Sequence, residues 1–399
     1  MAQIPASSPP IIQSPSPIEW VRKNLFSTWY NSIVTVICLL LIFLLLKTLV
    51  VWVLTQAQWN VIEANLRLFF VGLFPQQLYW RVWVTLGIIS AITGISWGFF
   101  QKNSPLWSRT TLFSLSIVVV ASVLLPIDLT ARLWILGVIV VAVASYVVGR
   151  KLTPQIGSWL ALAWGICCLI VFWLIKGGLG LQETETNLWN GLLLTLLTAI
   201  ISIALSFPIG VLLALGRQSS LPVIRWLSIL YIEIVRGLPL IGILFLAQVM
   251  LPLFLPPEFP KMDRVVRAIA GLVLFSAAYL AENVRGGLQS IPRGQAEAAR
   301  ALGLSTPLVI ILIVLPQALK AVIPAIVGQF IGLFKDTSLL ALFGLLELTG
   351  IARSIVAQPQ FLGRYAEVYF FIGLIYWAFC YAMSLASRRL EKQLNVGQH

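Results

Sequence analysis

Ten times between residues 33 and 386 the sequence enters an apolar run of roughly the length that crosses a bilayer, and basic residues gather in the gaps. The runs are 33–54, 82–100, 111–125, 133–148, 159–175, 189–215, 226–251, one opening at 268–281, 321–346 and 365–386. In a chain of 399 residues that is 59% hydrophobic and 10% charged, no water-soluble fold could hide so much apolar surface. Helices satisfy their own backbone groups in lipid, so the chain reads as an all-α polytopic membrane protein of about ten transmembrane helices.

The net charge of +13 would suggest nucleic acid in a soluble protein. Here the positive-inside rule accounts for it, and no nucleic acid is expected. If the 285–316 loop is cytoplasmic, counting outward places Arg217, Arg225, Arg150, Lys151, Lys102, Arg109, Arg22, Lys23, Arg388, Arg389 and Lys392 inside too. Both termini then come out cytoplasmic. Lys261, Arg264 and Arg267 form an external basic cluster that runs against the rule.

Residues 1–17 are rich in Pro and Ser and carry no basic residue, so 1–30 reads as a disordered to amphipathic tail. Residues 31–180 hold five spans, with an aromatic and polar loop expected at 55–80. Residues 391–399 read as a short cytoplasmic tail. Cys38, Cys167, Cys168 and Cys380 all fall in apolar runs and read as small core or lipid-facing residues. The single histidine is His399, which leaves no histidine catalysis and no histidine–metal site. No GxxxxGK[ST] string occurs, so no nucleotide is cradled by that route. Paired carboxylates and Ser/His/Asp arrangements are missing as well, which disfavours an enzyme.

One loop is unusual. Glu297 to Leu302 is a run of small residues, stopped at Gly303, with an apolar segment following to Pro316. Ser290 is placed to cap the helix and Pro292 to open its first turn. Gly303 suits the left-handed residue that ends it. Arg293, Glu297 and Arg300 lie three or four apart and share a face. Ala296, Ala298, Ala299 and Ala301 leave room for another protein's surface to approach closely.

The string Glu297-Ala298-Ala299, three residues, Gly303, nine residues, Ile313, one residue, Leu315-Pro316 resembles the EAA loop of ABC-transporter permease subunits without a gap. From about residue 181 to 390 the chain is similar to the five-helix type I permease core of the polar-amino-acid branch of ABC importers. The five leading spans match no motif, though larger permeases of the general amino-acid group have this extended build. The resemblance implies a bacterial inner-membrane subunit that moves L-amino acids. Its ATPase-coupling residues would be Arg293, Glu297, Ala298, Ala299, Gly303 and Pro316. It further implies separate ABC ATPase subunits that bind ATP and Mg, a second homologous permease and an extracytoplasmic amino-acid-binding protein. No cofactor is expected in this chain. An importer of the same build for another small solute, or a channel or secondary carrier independent of an ATPase, are the alternatives.

Ionisable residues inside spans are costly and mark where a solute could be recognised. Two patches qualify. In Tyr231–Pro239, Glu233 and Arg236 share a helix face and can pair with each other, and Gly237 and Pro239 break the helix nearby. The stretch resembles the RGTPLL-like segment of amino-acid permeases, with Leu238 where a small polar residue is usual. The second patch is Gln329, Lys335, Asp336 and Ser338, within 321–346. Lys335 lies roughly 21 Å in from Ala321, and a zwitterion offers a carboxylate to a lysine and an ammonium to an aspartate. That string resembles the K-[ND]-[ST]-S-L patch of the same branch. A pairing of Lys335 or Asp336 with a neighbouring helix or subunit stands beside the solute reading. Glu282 and Glu347, near span ends, are expected to reach water.

Overall fold

The computed structural model describes residues 16–102, 128–153, 157, 159–256, 258 and 261–393. The expected run 111–125 lies outside them. The chain divides into two units, Met1–Trp59 and Asn60–His399.

Among its described residues the first unit holds two helices. In α1 (Pro17–Leu25) the Ser16 hydroxyl accepts from the Glu19 N–H at 3.2 Å, and the Glu19 carboxylate accepts from the Ser16 N–H at 3.1 Å. This reciprocal cap satisfies two donors that a helix start leaves open. The second helix, α2 (Trp29–Val51), continues through a π turn to Gln56.

In the second unit the expected loop at 55–80 contains a helix, α3 (Asn60–Val71). Its buried residues Val61, Ile62, Asn65, Leu66 and Phe69 recur at helical spacing. The period is interleaved with polar residues, which is why it reads as a loop when only composition is weighed. Helices α4 (Tyr79–Phe100) and α5 (Leu129–Lys151) pack closely together. Their contact is made by Gly94 and Gly98, four apart: a Cβ on Gly98 would lie 2.1 Å from the Tyr146 carbonyl oxygen. In lipid, where apolar contact alone gives little driving force, such close backbone approach is what holds helices together. The next helix, α6 (Leu160–Lys176), is shorter.

The remaining helices are α7 (Gly191–Arg217), α8 (Pro222–Gly237), α9 (Leu240–Phe254), α10 (Arg264–Ser290), α11 (Arg293–Ala301), α12 (Thr306–Phe343), α13 (Leu348–Val356) and α14 (Tyr365–Gln393). Among the described residues seven helices are long and apolar enough to span, or eight if α8 and α9 count as one broken span. The expected single run 226–251 is that pair, bent by 104°. Leu238 is extended (φ −100°, ψ 140°), as a residue before proline prefers, and Pro239 donates no N–H across the break. The run 321–346 likewise begins much earlier, at Thr306, so the second half of the 285–316 loop is helix. A π turn at Ile310–Val314 precedes Pro316, where the missing N–H interrupts the ladder.

Helix α10 is the axis of this unit and packs against α7, α8 and α12. Its buried residues Ala277, Ala278, Ala281 and Val284 are small enough to let those neighbours close in. The largest core cluster joins Leu194, Leu244, Leu272 and Leu340 to Phe74, Cys167 and Ile175, with Val82 and Ile88 packed against it, so α4 and α6 share one core with the later helices.

Arg264 and Arg267, the basic residues that run against the charge rule, have structural work. Pro252 cannot donate to the Gln248 carbonyl, and Arg267 takes that acceptor at 2.5 Å. The Gln248 amide donates to the Arg264 carbonyl at 2.9 Å. The Arg264 guanidinium in turn donates to the Phe343 carbonyl at the end of α12. Cations at open helix carbonyls are favourable, and this explains basic residues on a face the charge rule would leave bare.

Candidate functional site

Two residues after α10 ends, the chain turns into α11 and leaves it again at Gly303. Ser290 does not cap α11. It is the last residue of α10, and its hydroxyl donates back to the Gly287 carbonyl at 2.8 Å. Pro292 occupies the cap position with no side-chain bond. The stop at Gly303 is a two-bond closure at φ +85°: the Gly303 N–H donates to Arg300 O at 2.9 Å and Leu304 N–H to Ala299 O at 3.2 Å. That pattern needs the left-handed conformation, which glycine takes without strain.

The helix shows nearly all of itself to the outside. Arg293, Glu297, Ala298 and Arg300 are exposed, and none of the three charged residues forms an ion pair among the described residues. Ala299 is buried at 5% exposure and packs the helix onto its own chain. Beside Gly303, Leu302 projects at 84% exposure, an apolar knob that sequence reasoning did not single out. Pro316 does not share this surface. It lies ten residues into α12, roughly 15 Å from Thr306 along the helix.

Glu233 and Arg236 do not pair with each other. Glu233 binds Arg217 at 3.0 Å, and Arg236 reaches Glu282 at 3.5 Å. Glu282 also takes Arg217 at 3.4 Å and is chelated by Arg285 one helical turn on. Glu282, expected to reach water, keeps a side chain 22% exposed, and it is also the hub of the cluster. Arg236 further sits over the Tyr279 ring at 5.6 Å. Three arginines and two glutamates tie the end of α7 to α8 and α10. The Glu282/Arg285 spacing is legible in sequence as a helical pair, but Arg217 comes from a different helix and gives no such signal.

Lys335 and Asp336 occupy another level. They end the regular part of α12, where the backbone tightens into a 3₁₀ turn over Thr337–Phe343. Lys335 is exposed and Asp336 half-buried, and neither forms an ion pair among the described residues. Gln329 and Ser338 are half-buried nearby on the same helix. Measured from the end where Arg264 meets Phe343, Lys335 is about 14 Å in, and Glu282 roughly 27 Å in along α10. The two candidate patches are thus not one site.

Glu347, also expected to reach water, is completely buried. It caps α13, accepting from the N–H groups of Thr349 and Gly350 at 2.9 Å each and from the Tyr376 hydroxyl at 3.0 Å. Thr195 of α7 joins it, receiving the Leu348 N–H at 3.0 Å. Burial pushes the Glu347 carboxyl up to about 7, against the backbone donors that pull it down.

Residues 206–396 match the family of binding-protein-dependent transport system inner membrane components. The inner membrane amino-acid ABC transporter permease protein YhdY of Escherichia coli is 38% identical over 396 residues, covering 95% of this chain and 93% of the relative. The glutamate/glutamine/aspartate/asparagine transport system permease protein BztC of Rhodobacter capsulatus is 35% identical over 98% of this chain and 96% of its own length. A solved amino acid ABC transporter, crystallised with histidines, is 30% identical over 51% of this chain and 92% of its own, with a TM-score of 0.46. The chain belongs to the ABC-transporter permease family of binding-protein-dependent transport systems, and it is a multi-pass membrane protein.

Proposed function

We propose that this chain is the membrane-spanning permease subunit of an ABC importer that carries L-amino acids across the bacterial inner membrane. The similarity to two amino-acid permeases along nearly the whole chain supports the solute class. The observation that carries the mechanism is the geometry of α11, a nine-residue helix held at both ends and exposed on every face but that of Ala299. Such a helix offers a rigid grip to a separate ATPase subunit that binds ATP and Mg. Leu302 is the apolar anchor of that grip, and Arg293, Glu297 and Arg300 are its polar rim.

In this reading α11 and both termini lie in the cytoplasm. Residues 181–390 form the permease core, and 31–180 the added spans. A second homologous permease and an extracytoplasmic amino-acid-binding protein complete the complex. ATPase closure moves α11, and α10 and α12, joined to it at either end, carry the motion into the membrane. Lys335 and Asp336, with Gln329 and Ser338, hold the carboxylate and ammonium of the solute, and Glu233 and Arg236 belong to the ionic cluster it passes.

The test is reconstituted complex carrying Glu297→Lys or Gly303→Val. Uptake should fall by an order of magnitude or more while the assembled ATPase still hydrolyses ATP. Uptake at the unsubstituted rate in both variants would contradict the docking role.

A further inference from the structure

Between α6 and α7 the chain passes through positive φ at four successive residues. Gly177, Gly178 and Gly180 do so as glycines can, at +84°, +88° and +93°. Leu179 sits among them at φ +48°, the one non-glycine with positive φ among the described residues. A side chain is strained in that conformation, and a fourth glycine would remove the strain. The side chain held there is 94% exposed. The turn beneath it is pinned. Gly178 and Leu181 exchange two backbone hydrogen bonds at 2.9 and 3.1 Å, and the Trp173 indole donates to the Gly178 carbonyl at 2.9 Å. Arg81 of α4, only 2% exposed, donates to the Gln182 carbonyl at 2.7 Å. Helices α4 and α6 thus brace an apolar knob.

Past the knob the chain is tied to the core. The Thr186 hydroxyl donates to the carboxylate of Asp263, the residue that caps α10. The Gly191 N–H donates to the Leu346 carbonyl at 2.7 Å. Helix α10 has 27 residues, about 40 Å, and its far end leads into α11. That length crosses a bilayer, so the knob and α11 face opposite compartments. With α11 on the ATPase, what covers Leu179 is extracytoplasmic. Lipid tails do not suit the place, because Gln182, Glu183, Glu185 and Asn187 just beyond the turn are all exposed. Neither glutamate forms an ion pair among the described residues, and Lys176, the one basic residue of the segment, lies over the Phe172 ring at 5.9 Å. An apolar anchor beside two carboxylates calls for a protein with an apolar dent and a basic rim.

We infer that Leu179 is a docking knob for the extracytoplasmic amino-acid-binding protein, which meets it with such a dent, rimmed by Lys or Arg. The inference rests on the importer reading above. It gives α4 and α6 a task, and it sets the docked protein at the head of the helix that leads to α11.

The experiment uses the assembled transporter in nanodiscs, titrated with amino-acid-loaded binding protein while ATP hydrolysis is followed. Leu179→Asp should raise the binding-protein concentration for half-maximal stimulation by about tenfold. Leu179→Gly should raise it several-fold while the unfolding midpoint stays equal or rises, a split that a merely structural role would not produce. Leu179→Met should keep the unsubstituted value. Irradiated Leu179→benzoylphenylalanine should join this chain to the binding protein at a peptide containing Lys or Arg. Stimulation indifferent to both Leu179→Asp and Leu179→Gly, or adducts only with lipid or the second permease, would overturn the inference and leave the importer reading standing. An unsubstituted complex that the binding protein does not stimulate would overturn both.

Discussion

Glu282→Gln removes one negative charge from the hub of the ionic cluster while keeping its shape. In the wild type Glu282 faces Arg217, Arg236 and Arg285, all between 25% and 34% exposed. Breaking a fully buried ion pair costs about 3–5 kcal/mol, and an exposed pair is worth about 0–1 kcal/mol. A carboxylate roughly three-quarters buried among three guanidiniums falls between, and we expect a loss of about 2 kcal/mol. For a chain of 399 residues that lowers the unfolding midpoint by about 2 °C. Intrinsic tryptophan fluorescence of the chain in nanodiscs follows the transition. The decisive comparison is a double-mutant cycle with Arg236→Gln. Removing Arg236 after Glu282 is already neutral should cost at least 1 kcal/mol less than removing it from the wild type, an order-of-magnitude expectation for directly interacting charges. Additive costs, or a Glu282→Gln midpoint equal to that of the wild type, would refute the hub.

Other substitutions probe other parts of the account. Gly98→Val places side-chain atoms where the Tyr146 carbonyl already sits, and should destabilise the α4–α5 pair by about 1–3 kcal/mol, measured as a lower midpoint in the same assay. Glu347 has a folded-state pKa near 7, above the ordinary glutamate value, so the folded chain holds its proton more tightly than the unfolded one. Its contribution should be full below about pH 4.5 and fall away as pH rises towards 7, by up to about 3 kcal/mol; Glu347→Gln should flatten that slope. Arg267→Met leaves the Gln248 carbonyl without its donor and should cost about 1–3 kcal/mol, whereas Arg267→Lys should recover part of it.

Sequence reasoning reaches the class of fold because hydropathy reports directly on lipid, and it reaches α11 because Gly303 and the alanine pattern are local signals. It falls short where three-dimensional placement decides. The periodicity of Val61, Ile62, Asn65 and Phe69 is diluted by polar neighbours, so α3 reads as loop. Glu347 looks like a span-end carboxylate, yet Thr195 and Tyr376, distant in the chain, enclose it. Glu233 and Arg236 satisfy the spacing of a helical pair, but Arg217 and Glu282 compete for them successfully. The basic residues at Arg264 and Arg267 defeat a charge count because their partners are backbone carbonyls, which leave no mark in composition.

The most direct measurement is a site-specific cross-link from α11 to the ATPase subunit. With Leu302→Cys in the assembled transporter, a short thiol cross-linker should join this chain to the ATPase, with a yield that changes when ATP binds. A Leu302→Cys chain that gives no ATPase adduct, yet is labelled in intact cells by a membrane-impermeant thiol reagent, would place α11 on the outer face and contradict the account.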